Sequence, residues 1–235
     1  MPDMLGKTLG SRFTLDEQLT EGLYTQVFRV TDLTTQALLR AHIVPHAVVE
    51  QLGSFDRLRD TLKPAQAMKH DHLVPIREIS ALDAQIVVVQ DYIAARTLND
   101  LLRSAAQAID PKPLLTHIVP VAAALHAAHA QNVVHGGIRP EVFLLDEDGS
   151  LHVADMGIAN AVIASSGTTT LTPQITPYTA PELLDGTRAE PAADVYGFGA
   201  VLYHLLTGHA PFDDDTQLAE AIKYAVIKSP RAHRP

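Results

Sequence analysis

The chain has 235 residues, of which 46% are hydrophobic and 19% are charged, a balance typical of one globular domain or two tightly joined lobes. Its formal net charge of -9 argues against nucleic-acid binding, which needs a concentrated basic surface, and the lack of cysteine excludes disulfides, thiolate zinc sites and a cysteine nucleophile. The first residues lack the apolar run of a signal peptide and no stretch reaches the ~18 apolar residues of a membrane span, so we expect a cytoplasmic protein.

The first part of the chain is predicted to be rich in β-strands. Runs of Val, Leu, Thr and Phe separated by turn residues predict an antiparallel meander over Phe13–Leu19, Thr25–Asp32 and Leu38–Val44. An amphipathic helix is predicted from about Phe55 to Met68, and Pro64 is expected to kink or end it, because proline lacks an N–H and clashes with the preceding turn. The apolar run Ile86–Ile93 predicts a buried strand, and a linker follows at residues 94–96.

The rest of the chain is predicted to be mainly helical. Thr97 and Asp100 have the spacing of a capping box, which predicts a helix over Leu98–Ala106. Asp148 followed by glycine predicts the turn of a hairpin over Val142–Val153. Further helices are predicted at Pro113–Ala130 with a bend at Pro120, at Asp194–Leu206 ending before Gly208, and at Thr216–Lys228.

A Ser/Thr-rich stretch, Ser165–Thr176, is the best candidate for a mobile loop. Its hydroxyls could accept phosphate from a kinase and create a docking signal, or they could simply form a solvated loop. The hydroxyl residues concerned are Ser165, Ser166, Thr168, Thr169 and Thr170.

The most informative segment runs from Val133 to Ala159. It contains H-G-G-I-R-P-E-V from His135 to Val142, then three apolar residues, a hairpin, and D-M-G from Asp155. In order and spacing it resembles the core of the eukaryotic-like, bacterial-type Ser/Thr protein kinases, which reads H-R-D-L-K-P-E-N and then D-F-G. The A-P-E triplet that begins at Ala180 and the D-V-Y-G-F-G run at residues 194–199 resemble two further motifs of that superfamily.

The resemblance implies an α+β, bilobal protein-kinase-like fold. We expect a β-rich N-lobe with one regulatory-type helix over residues 1–93, a hinge linker at 94–96 and a mainly helical C-lobe over 97–235. The family has further helices beyond the last predicted one, so we expect a C-lobe that lacks its last helices and leaves Glu182 without its usual arginine. A fragment of a longer protein is the preferred interpretation, and an exposed face covered by another subunit is the alternative.

Four family positions carry residues that cannot do the family's chemistry. By spacing, His42 stands for the lysine that holds the phosphates, and Thr61 stands for the glutamate that pairs with that lysine. Gly137 replaces the catalytic aspartate and Val142 replaces a magnesium-binding asparagine. The resemblance therefore predicts no catalytic residue.

The nucleotide-binding parts are also altered. Only Gly22 remains of the glycine-rich loop, and it lies between Thr20 and Thr25, which are β-branched. By the same count Arg40 takes the small-residue position above the adenine ring, where a large charged side chain should obstruct the base. A register slip of two residues would instead put Arg40 at the lysine position, and the sequence leaves both registers open.

What remains is a vestigial nucleotide pocket. Asp155 is the one carboxylate left at the metal position, and it could hold magnesium with substrate phosphates or simply cap the turn before Gly157. The resemblance predicts no firm cofactor, with ATP and magnesium as weak ligands at most. The pocket positions are Gly22, Val27, Gln90, Leu144 and Asp155.

Three histidines, His126, His129 and His135, could suggest a metal site, but the resemblance favours packing and loop support for them. It also implies that His135 packs under Asp155 and that Asp194 hydrogen-bonds the backbone of the loop.

The leading hypothesis is a catalytically inactive kinase-like domain, a pseudokinase and not an enzyme, that acts as a scaffold or allosteric regulatory module in bacterial signalling. Its expected partner is another protein, such as an active kinase or a different signalling protein, with no nucleic acid and no membrane span. The alternatives are a pseudokinase sensor that binds ATP, and a residual or atypical phosphoryl or nucleotidyl transferase that uses Asp155, with His42 as a further candidate.

Overall fold

The computed structural model describes residues 4–44, 46–49, 55–104, 111–166, 174–212 and 217–233. The first part of the chain forms a six-stranded antiparallel sheet in the order β1-β2-β3-β4-β6-β5. Its strands are β1 (Thr8–Leu9), β2 (Phe13–Glu21), β3 (Gln26–Asp32), β4 (Leu38–Val44), β5 (Ile76–Leu82) and β6 (Gln85–Asp91).

Helices α1 (His46–Val49) and α2 (Phe55–Ala67) connect β4 to β5. Apolar residues from β1 to β4 and β6 pack on one face of the sheet, among them Phe13, Phe28 and Ile43. Because side chains alternate between faces along a strand, the residues between these apolar positions on β4 lie on the other face.

The second part of the chain is mainly helical. Strand β7 (Ala95–Thr97) and the hairpin β8 (Phe143–Asp146) and β9 (Leu151–Val153) form a small antiparallel sheet beside the helices. Short 3-10 turns occupy Pro140–Val142 and Pro181–Leu183. The helices are α3 (Leu98–Ser104), α4 (Pro111–His129), α5 (Ile158–Ser165), α6 (Pro191–Thr207), α7 (Leu218–Tyr224) and α8 (Pro230–His233).

Several local signals in the sequence are confirmed. The Thr97 and Asp100 capping box is formed, with Thr97 N donating to Asp100 Oδ2 at 2.9 Å and Asp100 N donating to Thr97 Oγ1 at 3.0 Å. Helix α6 ends at Gly208, whose φ of 74° is the left-handed conformation that glycine adopts without strain. Among the described helices, none has the length and apolar character that crossing a membrane requires.

Other local predictions need correction. Strand β5 has no counterpart in the prediction, and β7 includes residues that were expected to form a linker. Helix α2 continues through Pro64 for three more residues, so the proline does not end the helix there.

The predicted mobile loop is partly helical. Ser165 ends helix α5 and is fully buried, and Ser166 is also buried, so neither belongs to a solvated loop. The candidate phosphorylation sites Thr168, Thr169 and Thr170 lie outside the described residues.

Helix α5 packs against α2. The two helices come close at Gly157, which has a φ of +75° and where a Cβ would lie 3.4 Å from Ala65 Cβ. One core cluster joins α2, through Leu58 and Leu62, to apolar residues of α4, α5 and α6, so the sheet and the helices share a core. The space between the sheet and the helical part, here called the cleft, holds the candidate site.

Candidate functional site

The site begins on β4, where Arg40 and His42 lie two residues apart and therefore on the same face of the sheet. The exposed fraction is 4% for Arg40 and 1% for His42. A buried charge is stable only when it is paired, so the partners of these side chains decide what the site can do.

Asp155 is the partner of both side chains. Arg40 Nε donates to Asp155 Oδ1 at 3.2 Å and Arg40 Nη2 donates to Oδ2 at 3.3 Å, so the guanidinium binds both carboxylate oxygens. His42 Nε2 lies 2.9 Å from Oδ1. We call Arg40, His42 and Asp155 the ion cluster. The sequence left two candidates, Arg40 and His42, for the position of the family's lysine, and both of them contact Asp155.

The backbone of Asp155 is unusual as well. Its φ of +64° lies in the left-handed region, which is uncommon for a residue other than glycine. Such backbone strain tends to occur at functional positions. The Asp155 N–H donates to Gln90 Oε1 at 3.3 Å, which holds this residue in place.

Gln90 links the ion cluster to the sheet. Its Oε1 lies 3.1 Å from His42 Nε2, and its Nε2 donates to the Val74 carbonyl at 3.2 Å. Because Gln90 Oε1 and Asp155 Oδ1 both accept, we assign a proton to His42 Nε2. Thr25 Oγ1 lies 3.1 Å from His42 Nδ1, so both ring nitrogens of His42 have partners.

Burial and the neighbouring positive charges shift the pKa of Asp155 in opposite directions. Burial would raise the pKa of its carboxyl group, but Arg40 and then His42 outweigh this effect and hold the pKa well below its ordinary value. Asp155 is therefore ionised near neutral pH, and the cluster contains a buried ion pair.

The loop beneath the cluster is fixed by Asp194. His135 N and Gly136 N donate to the two carboxylate oxygens of Asp194 at 2.8 and 2.9 Å, and His129 Nε2 lies 2.8 Å from Asp194 Oδ2. His135 Nε2 donates to the Ala154 carbonyl at 3.0 Å, and complete burial lowers the pKa of the His135 ring. These contacts are the scaffold roles that the resemblance implied.

Gly137, at the position of the family's catalytic aspartate, lies under another side chain. A Cβ at Gly137 would be 2.7 Å from Leu23 Cδ1 and 3.3 Å from Ala159 Cβ. Leu23 therefore occupies the space into which a side chain at residue 137 would project. Val142, at the position of the second metal ligand, is buried and presents only carbon atoms.

Leu23 is held by the turn between β2 and β3, residues 21–25. The turn is closed by Gly22 N, which donates to the Thr25 carbonyl at 2.8 Å. A Cβ at Gly22 would lie 2.3 Å from Thr25 Oγ1, so only glycine fits there without rearrangement.

Two side chains from the helical part bind this turn. Arg139 Nη2 donates to the Glu21 carbonyl. We assign the Gln174 amide with its nitrogen toward the turn, because only in this orientation does it donate to the Leu23 carbonyl and, at 3.2 Å, to the Gly22 carbonyl. The carbonyls of three consecutive residues are thus bound from across the cleft.

Thr61, at the position of the helix glutamate, does not join the site. Its Oγ1 donates to the Arg57 carbonyl of its own helix at 2.8 Å. Helix α2 instead packs on α5, as described above.

A cavity of about 210 Å³ lies beside the ion cluster. Apolar residues Leu19, Ile93 and Leu144 line it together with Arg40, Thr97 and Asp100. Arg40 lines this cavity, and its expected obstruction of an adenine ring stays a prediction. Val27, the remaining predicted pocket residue, is fully buried in β3 and pairs in register with His42.

The residues present do not fit the magnesium ions that the family implies. Both oxygens of Asp155 already accept from Arg40. The inner cleft is the space lined by His42, Arg139 and Asp155, and no other carboxylate of the described residues lines it. Within the described part of the chain, no three metal-ligating side chains are grouped. His126 is exposed, and His129 and His135 are bound to Asp194 and Ala154 respectively, so the histidines form no metal site there.

Leu23, Arg139 and Gln174 were not predicted as site residues. Their contacts join parts of the chain that are more than 100 residues apart, as Arg139 and Glu21 are at a separation of 118 residues. No local pattern in one sequence indicates such contacts.

Comparisons with known proteins agree with the resemblance. Residues 13–232 match the family model described as protein kinase domain. The chain is 26% identical to a probable serine/threonine-protein kinase of Clostridium acetobutylicum over 94% of this chain and 34% of that protein, and 28% identical to the serine/threonine-protein kinase PrkC of Bacillus subtilis over 98% and 36%. It is 30% identical to the serine/threonine-protein kinase PknL of Mycobacterium bovis over 95% of this chain and 56% of that protein.

The solved structures show the same fold. The crystal structure of a mutant PknI kinase domain from Mycobacterium tuberculosis matches with a TM-score of 0.75 and 21% identity, and covers 100% of this chain and 85% of that one. The predicted kinase-like fold is thereby confirmed. The chain spans between about a third and just over half of the length of the curated relatives.

One prediction is overturned by these comparisons. We expected that the chain is not an enzyme. This expectation is wrong, because the relatives of the chain are named serine/threonine-protein kinases.

Proposed function

This chain belongs to the protein kinase domain family, and we propose that it acts in that family as a regulatory domain that binds another protein and couples this binding to its cleft. The observation that carries the proposal is the attachment of the β2–β3 turn to the helical part by Arg139 and Gln174. A regulatory domain needs two distinct sites and a connection between them, and this attachment supplies the connection.

The first site is the segment of residues 174–183. It is anchored by Tyr178, whose hydroxyl lies 2.7 Å from His204 Nδ1 and whose ring stacks on the His204 ring. Gln174 and Glu182 are exposed, so a protein that binds here contacts the same segment that holds the turn.

The second site is the cleft under the turn. Release of Gln174 removes its contacts with Gly22 and Leu23, and Leu23 can then leave the space above Gly137. Binding at the segment and opening of the cleft are thus linked through one side chain. By reciprocity, a ligand in the cleft changes the affinity of the segment for its partner by the same factor.

The expected partner is a protein. The relatives are named serine/threonine-protein kinases, and proteins that act on Ser and Thr residues bind segments of other proteins. An active kinase or another signalling protein is therefore the proposed class.

Amide hydrogen exchange tests the coupling. Gln174→Ala should increase exchange in residues 20–25, and Gln131→Ala, which alters an exposed amide in the turn after α4, should not. Equal exchange in both variants would overturn the coupling.

Protein binding is tested separately with a photo-crosslinking residue at the exposed position 182 or, as a control, at position 131 of the full-length protein in its own cells. A discrete protein adduct from position 182 alone supports the role. Identical products from both positions, or none from either, would contradict it.

A further inference from the structure

We propose that the Arg40 guanidinium is the resident cation of Asp155, and that the cleft therefore binds a nucleotide without a divalent metal ion. This inference concerns the ligand of the cleft and stands whether or not the 174–183 segment binds a protein. It follows from the mismatch between the ion cluster and magnesium.

A metal ion at Asp155 would have to displace the donors that are already there. Magnesium binds carboxylate oxygens at ~2.0–2.1 Å in strict octahedral geometry and is seldom held by one carboxylate without phosphates and water. Here Arg40 and His42 lie 2.9 to 3.3 Å from the carboxylate oxygens, which is hydrogen-bond distance. Displacing Arg40 would leave a buried guanidinium without a partner, which is strongly unfavourable. Val142 offers no oxygen at the second metal position.

The cavity has room for a nucleoside. At about 210 Å³ it is smaller than the ~300–1,000 Å³ typical of pockets for drug-sized ligands, and this suits one base and its sugar. Leu19, Ile93 and Leu144 supply apolar walls for a flat ring. The guanidinium of Arg40 is planar, and such groups stack on aromatic rings.

The charges of the inner cleft favour an anion. Arg40 borders the cavity, and Arg139 and His42 line the adjoining space, in which Asp155 is the one carboxylate. The acidic groups that line the cavity have partners of their own: Glu17 Oε2 lies 2.9 Å from Arg29 Nη1, and Asp100 binds Thr97. Guanidinium binds phosphate in the same two-point geometry in which Arg40 binds Asp155. Asp155 uses only the Nε and Nη2 edge of the Arg40 guanidinium, so a nucleotide phosphate can bind Nη1 and the second N–H of Nη2 while Arg40 stays on Asp155.

Thermal unfolding of the wild-type chain is the first test, with ATP in EDTA, ATP with magnesium, and adenosine in EDTA. We expect ATP in EDTA to raise the Tm by roughly 3–6 °C at tenfold excess over Kd, with no further rise on adding magnesium and a smaller rise with adenosine. No rise with ATP in EDTA, or a rise that requires magnesium, overturns the proposal.

Two variants distinguish nucleotide binding by Arg40 from nucleotide binding through a metal ion at Asp155. Asp155→Asn removes a carboxylate that any metal would need but leaves Arg40 in place, so the response to ATP in EDTA should persist or increase. Arg40→Gln should abolish the response to ATP in EDTA, and, because it frees Asp155, a response to ATP should appear only when magnesium is added. Arg77→Gln, in an exposed ion pair with Asp91 on the same sheet, is the matched control and should behave as wild type. Loss of the ATP response in Asp155→Asn contradicts the proposal, and this comparison decides the question even if Arg40→Gln does not fold.

Discussion

Leu23 covers Gly137, so that a Cβ on the glycine would lie 2.7 Å from Leu23 Cδ1. The two residues come from opposite sides of the cleft, one from the β2–β3 turn and one from the loop that precedes β8. The space into which a side chain at residue 137 would project is therefore filled by a leucine, and the turn packs on the loop.

The first prediction concerns this contact. Gly137→Ala should lower the free energy of unfolding by about 0.5–1.5 kcal/mol, because the new methyl group must push Leu23 aside. In the Leu23→Ala background most of that cost should disappear, giving a coupling of about 0.5–1.5 kcal/mol in a double-mutant cycle by urea unfolding. Gly199→Ala is the control: apart from the backbone of its own helix and its chain neighbours, nothing lies within 4 Å of its added Cβ, and alanine in helix α6 should stabilise by about 0.5–1 kcal/mol. Additive effects at 137 and 23 would show that the two residues do not touch.

The second prediction concerns the Arg40–Asp155 pair. Asp155→Ala should destabilise by about 3–5 kcal/mol, because it leaves a buried guanidinium unpaired. Arg40→Met together with Asp155→Ala should recover a large part of this loss, since neither charge then remains buried alone. Arg59→Met with Asp56→Ala, an exposed pair on α2, should change stability by less than about 1 kcal/mol. A double variant as unstable as the sum of its single variants would disprove the pairing.

Features that depend on neighbouring residues could be predicted from the sequence, and contacts between distant parts of the chain could not. Strands β2 to β4, the Thr97 cap and the Gly208 stop were predicted, because alternation, capping and left-handed glycine are local properties. Strand β5 was missed because its sequence, IREISAL, mixes charged and apolar residues along a partly exposed edge of the sheet. The Arg40–Asp155 pair joins residues 115 positions apart, and no local pattern predicts it; the family spacing indicates only that two opposite charges lie near the same site.

The third prediction concerns pH. The pKa of Asp155 in the folded chain is held below its ordinary value of 3.8, so its ionised form favours the folded state. This stabilisation is complete at pH values above the unfolded pKa and is lost as the pH falls below it toward the folded pKa. The stability difference between wild type and Asp155→Asn should thus be constant above about pH 5 and shrink below about pH 4. Urea unfolding from pH 6 to pH 3 measures it, with Asp148→Asn in an exposed turn as the control. A difference that grows on acidification would contradict the assignment.

The fourth prediction concerns Gln90, whose side chain satisfies groups on both sides of the cleft. Gln90→Leu keeps a similar volume but removes the acceptor of Asp155 N–H and His42 Nε2, together with the donor to the Val74 carbonyl. Each buried polar group left without a partner costs about 1–3 kcal/mol, so we expect a loss of at least about 2 kcal/mol in urea unfolding. Gln66→Leu removes a comparable amide bond to the Arg77 carbonyl at an exposed site, where water replaces it, and should cost less than about 1 kcal/mol. Equal losses at the two glutamines would mean that water reaches Gln90, and the ion cluster could not then be the dry, self-paired site on which metal-free nucleotide binding depends.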